Sequence, residues 1–220
     1  MKSNNEEAQQ ALIGTFDLYK TAYVNETGAF VAWGFDKNLF IPKNLQHNKM
    51  RKDEEHIVYI FLDKTWRPAG STKIDKYIDE GKIQVKVGDE VDLLIYDQTN
   101  MGYKAIVNKR AGGLLYKDEV FQPLHYGQKL KGYVKKVRED GKIDLILQKP
   151  GHQNVDDLSG KILNYLKTNK GKAVLSDKTP PEEIYRLFAV SKKKFKIACG
   201  NLYKQRQVII TEKGIALNDN

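Results

Sequence analysis

The residues in this sequence best suited to chemistry are cations crowded together near aromatic rings. SKKKFK brings Lys192, Lys193, Lys194 and Lys196 into one short run, and VKKVR does the same for Lys135, Lys136 and Arg138. Cations meet phosphate oxygens and aromatic faces stack on bases of any sequence, so this pairing of residue types suits a polyanion made of nucleotides. In an alternating strand Lys136 and Arg138 would share one face and Lys135 the other. The bland reading, a solvated Lys-rich surface, stands beside the functional one.

Other chemistry is poorly supplied. Cys199 is the only cysteine, which excludes an intrachain disulfide and a thiolate-rich zinc site. His47, His56, His125 and His152 are scattered without metal-ligand spacing, so no metal is expected. Asp53-Glu54-Glu55 and Asp156-Asp157 are the dense acidic stretches that could hold Mg²⁺ for a nuclease. Both read as polar loops, where solvated charge is the ordinary explanation. No phosphate-binding Gly loop, dinucleotide fingerprint or nucleophile elbow is present. No catalytic residue and no cofactor are expected.

The elements that must position these groups show first in the charge. The chain carries +9, and residues 151–220 hold 13 basic against 7 acidic residues, so two-thirds of the excess sits in the last third. No apolar run approaches the roughly 20 residues that cross a bilayer, and MKSNNEEAQQ carries no secretory apolar region, so a cytoplasmic location without membrane contact is the expectation.

From Gly14 to Ile146, short β-branched and aromatic runs alternate with turn signals. The runs are Ala29–Trp33, Ile57–Leu62, Glu90–Tyr96, Tyr103–Val107, Lys129–Val137 and Lys142–Leu147. Between them lie NETG, DQTN, Ala111-Gly112-Gly113 and Glu139-Asp140-Gly141. The segment falls into two similar halves, each the size of one small five-stranded barrel. The pattern changes after Pro150-Gly151. Leu158, Ile162, Leu163 and Leu166 mark one helical face. Thr179-Pro180-Pro181-Glu182 predicts a second helix capped by Thr179. A third starts at Ser191, with Phe195, Ala198, Cys199 and Leu202 on its apolar face and Lys193, Lys196 and Lys204 opposite. Gln207–Thr211, the turn Glu212-Lys213-Gly214 and Ile215–Leu217 then read as a hairpin. Three helices and a hairpin are the order of a winged helix.

The stretches TNMGYKAIVN, GLLYKDEVF, GYVKKVREDGKIDL and SKKKFKIACGNLYK resemble the conserved virulence factor B family of bacterial regulators. The halves look like oligonucleotide-binding (OB) barrels of the ribosomal S-one type. The resemblance implies tandem barrels plus a winged helix, and the residues divide this mainly β chain with its C-terminal α+β module into a polar tail at 1–13, barrels at 14–74 and 87–150, a linker at 75–86 and a winged helix at 151–220; the join Ser71–Lys86 reads as a short polar helix or linker. Family members usually carry a further barrel where this chain has only the polar segment, so an RNA footprint does not transfer directly.

The resemblance also implies site residues. Phe30 matches the family aromatic, and Asp63 and Arg67 match an acidic–basic pair. Thr27 and Ile41 stand where a second aromatic and a histidine are common, which makes the first barrel look weakened as a stacking platform. Trp33 either compensates or belongs to the core. In the second repeat Tyr116 falls at the histidine position and Met101 at the aromatic one. Arg138 and Lys142 take the places of the acidic–basic pair, which would make that edge more basic than usual. Tyr103 joins the same sheet face or closes the core. The implied activity is RNA binding without catalysis, single strands preferred, with Lys193, Lys196 and Lys204 supplying phosphate contacts. The alternatives are a winged helix that binds duplex DNA or docks a protein, and a metal-dependent nuclease.

Overall fold

The computed structural model describes residues 2–78, 83–117, 119–120, 122–148, 155–176, 178–211 and 214–218. By its contacts the chain divides into two compact units. One comprises Met1–Tyr116 with Leu124–Leu147, the other Lys117–Pro123 with Gln148–Asn220.

The first unit holds two closed barrels. Strands β1 (Phe16–Val24), β2 (Gly28–Ala32), β3 (Leu39–Pro42), β4 (Glu55–Leu62) and β5 (Pro68–Ser71) close in the order β1-β2-β3-β5-β4. Strands β6 (Glu90–Gln98), β7 (Gly102–Val107), β8 (Ala111–Tyr116), β9 (Lys129–Val137) and β10 (Ile143–Ile146) close in the matching order β6-β7-β8-β10-β9. The match extends to a defect. The first strand of each barrel slips register against the second, between Thr21 and Tyr23 and between Ile95 and Asp97. Ala29, Val31, Leu39, Ile41, Val58 and Ile60 point inward and fill the first barrel.

Two expectations are corrected here. Ala111-Gly112-Gly113 is not a turn but the start of β8, and the turn sits at Asn108 and Lys109, both at positive φ. Gly113 is needed inside the barrel, because a Cβ there would lie 2.5 Å from Leu145 Cδ1. The polar segment read as a tail forms helix α1 (Lys2–Leu12), and Leu12 and Ile13 pack on the first barrel's core. The join, read as a short polar helix or linker, does hold a short helix, α2 (Ile74–Tyr77), but Ile74 and Tyr77 are buried together with Ile78. These three join Phe16 and Ile57 of one barrel to Leu94 and Ile106 of the other in one apolar cluster. Residues 79–82 of that segment lie outside the described residues.

Polar contacts reinforce the junction. Asp17, 9% exposed, lies 2.5 Å from Lys109 Nζ and 2.6 Å from Lys129 Nζ. The Tyr126 hydroxyl accepts from the Ile57 N–H at 2.9 Å.

The second unit packs α3 (Val155–Thr168), α4 (Pro181–Phe188) and α5 (Lys192–Lys204) against a small sheet ordered β11 (Lys172–Ala173), β13 (Gly214–Leu217) and β12 (Val208–Thr211). Leu158, Ile162, Leu166, Ile184, Phe188 and Phe195 are among its core. Thr179 does not cap α4. Its Oγ1 accepts from the Ser176 N–H at 2.8 Å, and Pro180 holds the cap position with no side-chain bond. Pro150-Gly151, His152 and the turn residues Glu212-Lys213 lie outside the described residues.

Candidate nucleic-acid interface

Register builds an aromatic row on the first barrel. The slip in β1 leaves Ala22 unpaired, and beyond it Tyr23 stands opposite Phe30. Phe30 stands opposite Phe40, Phe40 opposite Ala69, and Ala69 opposite Phe61. Directly paired residues share a sheet face, and successive residues alternate faces. The neighbours Ala29, Val31, Leu39 and Ile41 are buried inside, so this row lies on the outer surface. The Tyr23 and Phe30 rings stack at 4.4 Å and 12°, and Phe30 meets Phe40 at 5.0 Å and 36°. At the far end Phe61 stacks on Tyr77 at 5.8 Å. Tyr23 is 45% exposed. The packed rings hold one another in place, which fixes the orientation of their outer π-faces. A groove of about 760 Å³ opens beside the β1–β2 turn, lined by Asn25, Gly28, Gln46 and His47, with Lys43 and Lys49 exposed on it.

The first barrel thus carries more outward-facing aromatic surface than Phe30 alone. Its surface aromatics, Tyr23, Phe40 and Phe61, were not among the sequence candidates. The alternation in NLFIP carries the signal for Phe40, because Leu39 and Ile41 both turn inward. Thr27 shapes the turn instead: its N–H and hydroxyl donate to Asn25 Oδ1 at 2.9 and 2.8 Å. Trp33 is withdrawn as a surface candidate. It is 7% exposed, packs in the barrel core and donates its indole N–H to Lys37 O at 2.7 Å. Arg67 is exposed and pairs with Asp63 at 3.4 Å.

The second barrel differs at every matching position. Its row reads Asp97, Lys104, Leu114, Asp144 and Lys136. Lys104 is occupied by Asp97 at 3.4 Å and Asp75 at 3.5 Å. Tyr116 and Arg138 do meet, for Arg138 Nη2 donates to the Tyr116 hydroxyl. The expected basic edge is corrected, however. Arg138 also reaches the buried Asp144 carboxylate at 2.7 Å, which neutralises it, and Lys142 pairs with Asp140 at 3.5 Å. Tyr103 does not share the Tyr116 face. It pairs with Leu115, which points inward and is the chain neighbour of Tyr116. Lys135 also departs from expectation. A bulge sets Asp144 opposite Lys136 but Leu145 opposite Val134, so Lys135 is the extra residue and escapes the alternation. Its Nζ stands 6.0 Å from the Tyr116 ring centre, the same distance as the Arg138 guanidinium. Met101 is exposed in the β6–β7 turn.

In the second unit Ser191 caps α5 by accepting the Lys194 N–H at 3.2 Å. Phe195, Ala198, Cys199 and Leu202 are buried, which leaves Lys193, Lys196 and Lys204 exposed on the other side. Burial pushes the Cys199 thiol up to about 12, so it is a packed, protonated group. Asp53 pairs with Lys20 at 3.0 Å, and Glu54 lies 3.3 Å from His56. The Asp156 and Asp157 side chains lie outside the description. Among the described residues no cluster of three His, Cys, Asp or Glu could hold a metal, and no helix is long and apolar enough to cross a membrane.

Two five-stranded OB barrels followed by a winged helix define the class of this chain. Residues 160–217 match the model of the CvfB-like winged helix domain. A Bacillus subtilis protein, YitL, is 36% identical over 83 residues, which are 37% of this chain and 28% of that one. Conserved virulence factor B of Staphylococcus saprophyticus is 39% identical over 66 residues, 30% of this chain and 22% of that one. The matches thus span less than a third of either relative. A crystal structure of a multidomain protein with nucleic acid binding domains from Streptococcus pneumoniae aligns with 92% of this chain and 75% of its own, at 22% identity and a TM-score of 0.40. Its last third is thus similar to the winged helix of the conserved virulence factor B family.

Proposed function

We propose that this chain is a non-catalytic RNA-binding protein that acts after transcription, in the cytoplasm. Single-stranded or partly structured RNA lies across the outer face of the first barrel, with its bases on Tyr23, Phe30 and Phe40. The observation that carries this reading is the stacked row itself: three rings in register on an outer face, beside a groove bearing Lys43 and Lys49. Apolar rings left on a surface gain most from a ligand with π-faces of its own, and bases supply them regardless of sequence. Tyr116, Arg138 and Lys136 on the second barrel add a smaller patch, where most charge is already compensated.

The winged helix adds phosphate contacts through Lys193, Lys196 and Lys204. Duplex DNA is the weaker reading for it, because the leading turn of α5 holds lysines rather than the Arg, Asn or Gln that read base edges bidentately. A competition titration tests the proposal: single-stranded RNA against duplex DNA of equal length for the intact chain. RNA should compete better. Equal or better competition by the duplex would move the function to the winged helix.

A further inference from the structure

The two barrels close their fourth and fifth strands with the same turn. In the first, the Asp63 N–H donates to Arg67 O at 2.8 Å and the Trp66 N–H to Asp63 O at 2.9 Å. In the second, the Arg138 N–H donates to Lys142 O at 2.9 Å and the Gly141 N–H to Arg138 O at 3.0 Å. Both turns need a left-handed residue at the same place. The second barrel supplies Gly141 at φ 81°, and the first supplies Trp66 at φ 60°. A bulky residue in that region is strained, and glycine relieves the strain at no steric cost.

Trp66 is 81% exposed, and among the described residues no aromatic ring packs on it. Its loop is nevertheless held firmly. The Asp63 carboxylate accepts from the Thr65 N–H at 2.7 Å, the Thr65 hydroxyl at 2.6 Å and the Arg67 N–H at 3.0 Å. Those bonds, the Thr65 hydroxyl first, keep the Asp63 acid at about 2, so the turn stays locked at neutral pH. Lys64 and Arg67 stand on either side of Thr65 and Trp66, both exposed; Arg67 donates from Nε to Thr65 Oγ1 at 2.8 Å and lies 3.4 Å from Asp63 through Nη2, but its side chain stays 76% exposed, against 33% for Arg138. An indole presented rigidly between two cations matches an unpaired base and its adjoining phosphates.

We propose that Trp66 is a base-stacking residue of the first barrel, with Lys64 and Arg67 meeting the phosphates that flank the stacked base. This rests on the RNA-binding reading and extends it to the β4–β5 turn. The test uses the intact chain, a labelled mixed-sequence RNA single strand, and the variants Trp66→Gly and Trp66→Phe. Trp66→Gly should melt at the same or a higher temperature yet bind RNA about 5- to 150-fold more weakly. Trp66→Phe should keep most of the affinity. The chain has two tryptophans and Trp33 is buried, so acrylamide quenching of wild-type fluorescence reports Trp66, and saturating RNA should shield it. RNA that binds Trp66→Gly as tightly as wild type and leaves Trp66 open to acrylamide overturns the inference and leaves the binding reading intact. No RNA binding by the wild-type chain overturns both.

Discussion

Asp17→Asn tests whether the two barrels are held as one body. The side chain is 9% exposed and receives two lysines, Lys109 at 2.5 Å and Lys129 at 2.6 Å. It also accepts the Leu18 N–H at 2.8 Å, a bond the isosteric Asn can keep. The substitution therefore removes the two charge-assisted bonds and little else. Each such bond is worth about 1.5–3 kcal/mol when unscreened. The lysine ends are more than half exposed, and water screens them, so about 1 kcal/mol each is the better figure. The expected loss is about 2 kcal/mol at neutral pH, read by urea unfolding. Burial opposes the charge on Asp17, but the two lysines overcome it and hold the carboxyl below its ordinary value. A carboxyl depressed by folding contributes stability above its unfolded value, and that contribution vanishes as pH falls through the folded value. The gap between wild type and variant should thus be full above about pH 4 and close as the pH is lowered further. Equal stability at neutral pH, or a gap that ignores acid, would refute the clamp.

Two further predictions concern the interface. Phe30→Leu keeps an apolar side chain but removes the π-face, so single-stranded RNA affinity should drop by about 1–3 kcal/mol in a titration. The lost contacts with Tyr23 and Phe40 should lower stability by about 1–2 kcal/mol in thermal unfolding, and unchanged RNA affinity would argue that the row only packs. Replacing Lys193, Lys196 and Lys204 together by Gln should flatten the slope of log affinity against log salt by about 2 if all three touch phosphate. It should weaken unrelated RNAs alike, since phosphates carry no sequence information. An unchanged slope would make these lysines a solvated face.

Much of the fold was legible because apolar runs and turn residues announce a strand wherever it sits. Ile57–Leu62 and Lys129–Val137 fell where the pattern put them. β5 escaped because Pro68–Ser71 has no alternating apolar residues and is defined by its partners, β3 and β4. Ala111–Gly113 misled because glycine usually marks a turn, whereas here it makes room for Leu145. The site was less legible than the fold. Which aromatic meets which depends on register, and register turns on single bulge residues such as Ala22 and Lys135. Arg138 looked like free charge because its partner, Asp144, arrives from the next strand. Trp66 gave no periodic signal at all, for its role depends on one backbone angle in a turn.

The central claim is that RNA lies on the aromatic face of the first barrel. Its most direct test is photocrosslinking of the intact chain to thiouridine-substituted single-stranded RNA, with the modified residues mapped by mass spectrometry. Crosslinks should concentrate on Tyr23, Phe30 and Phe40, with weaker ones near Tyr116. Crosslinks confined to α5, with the first barrel unmodified, would contradict the account.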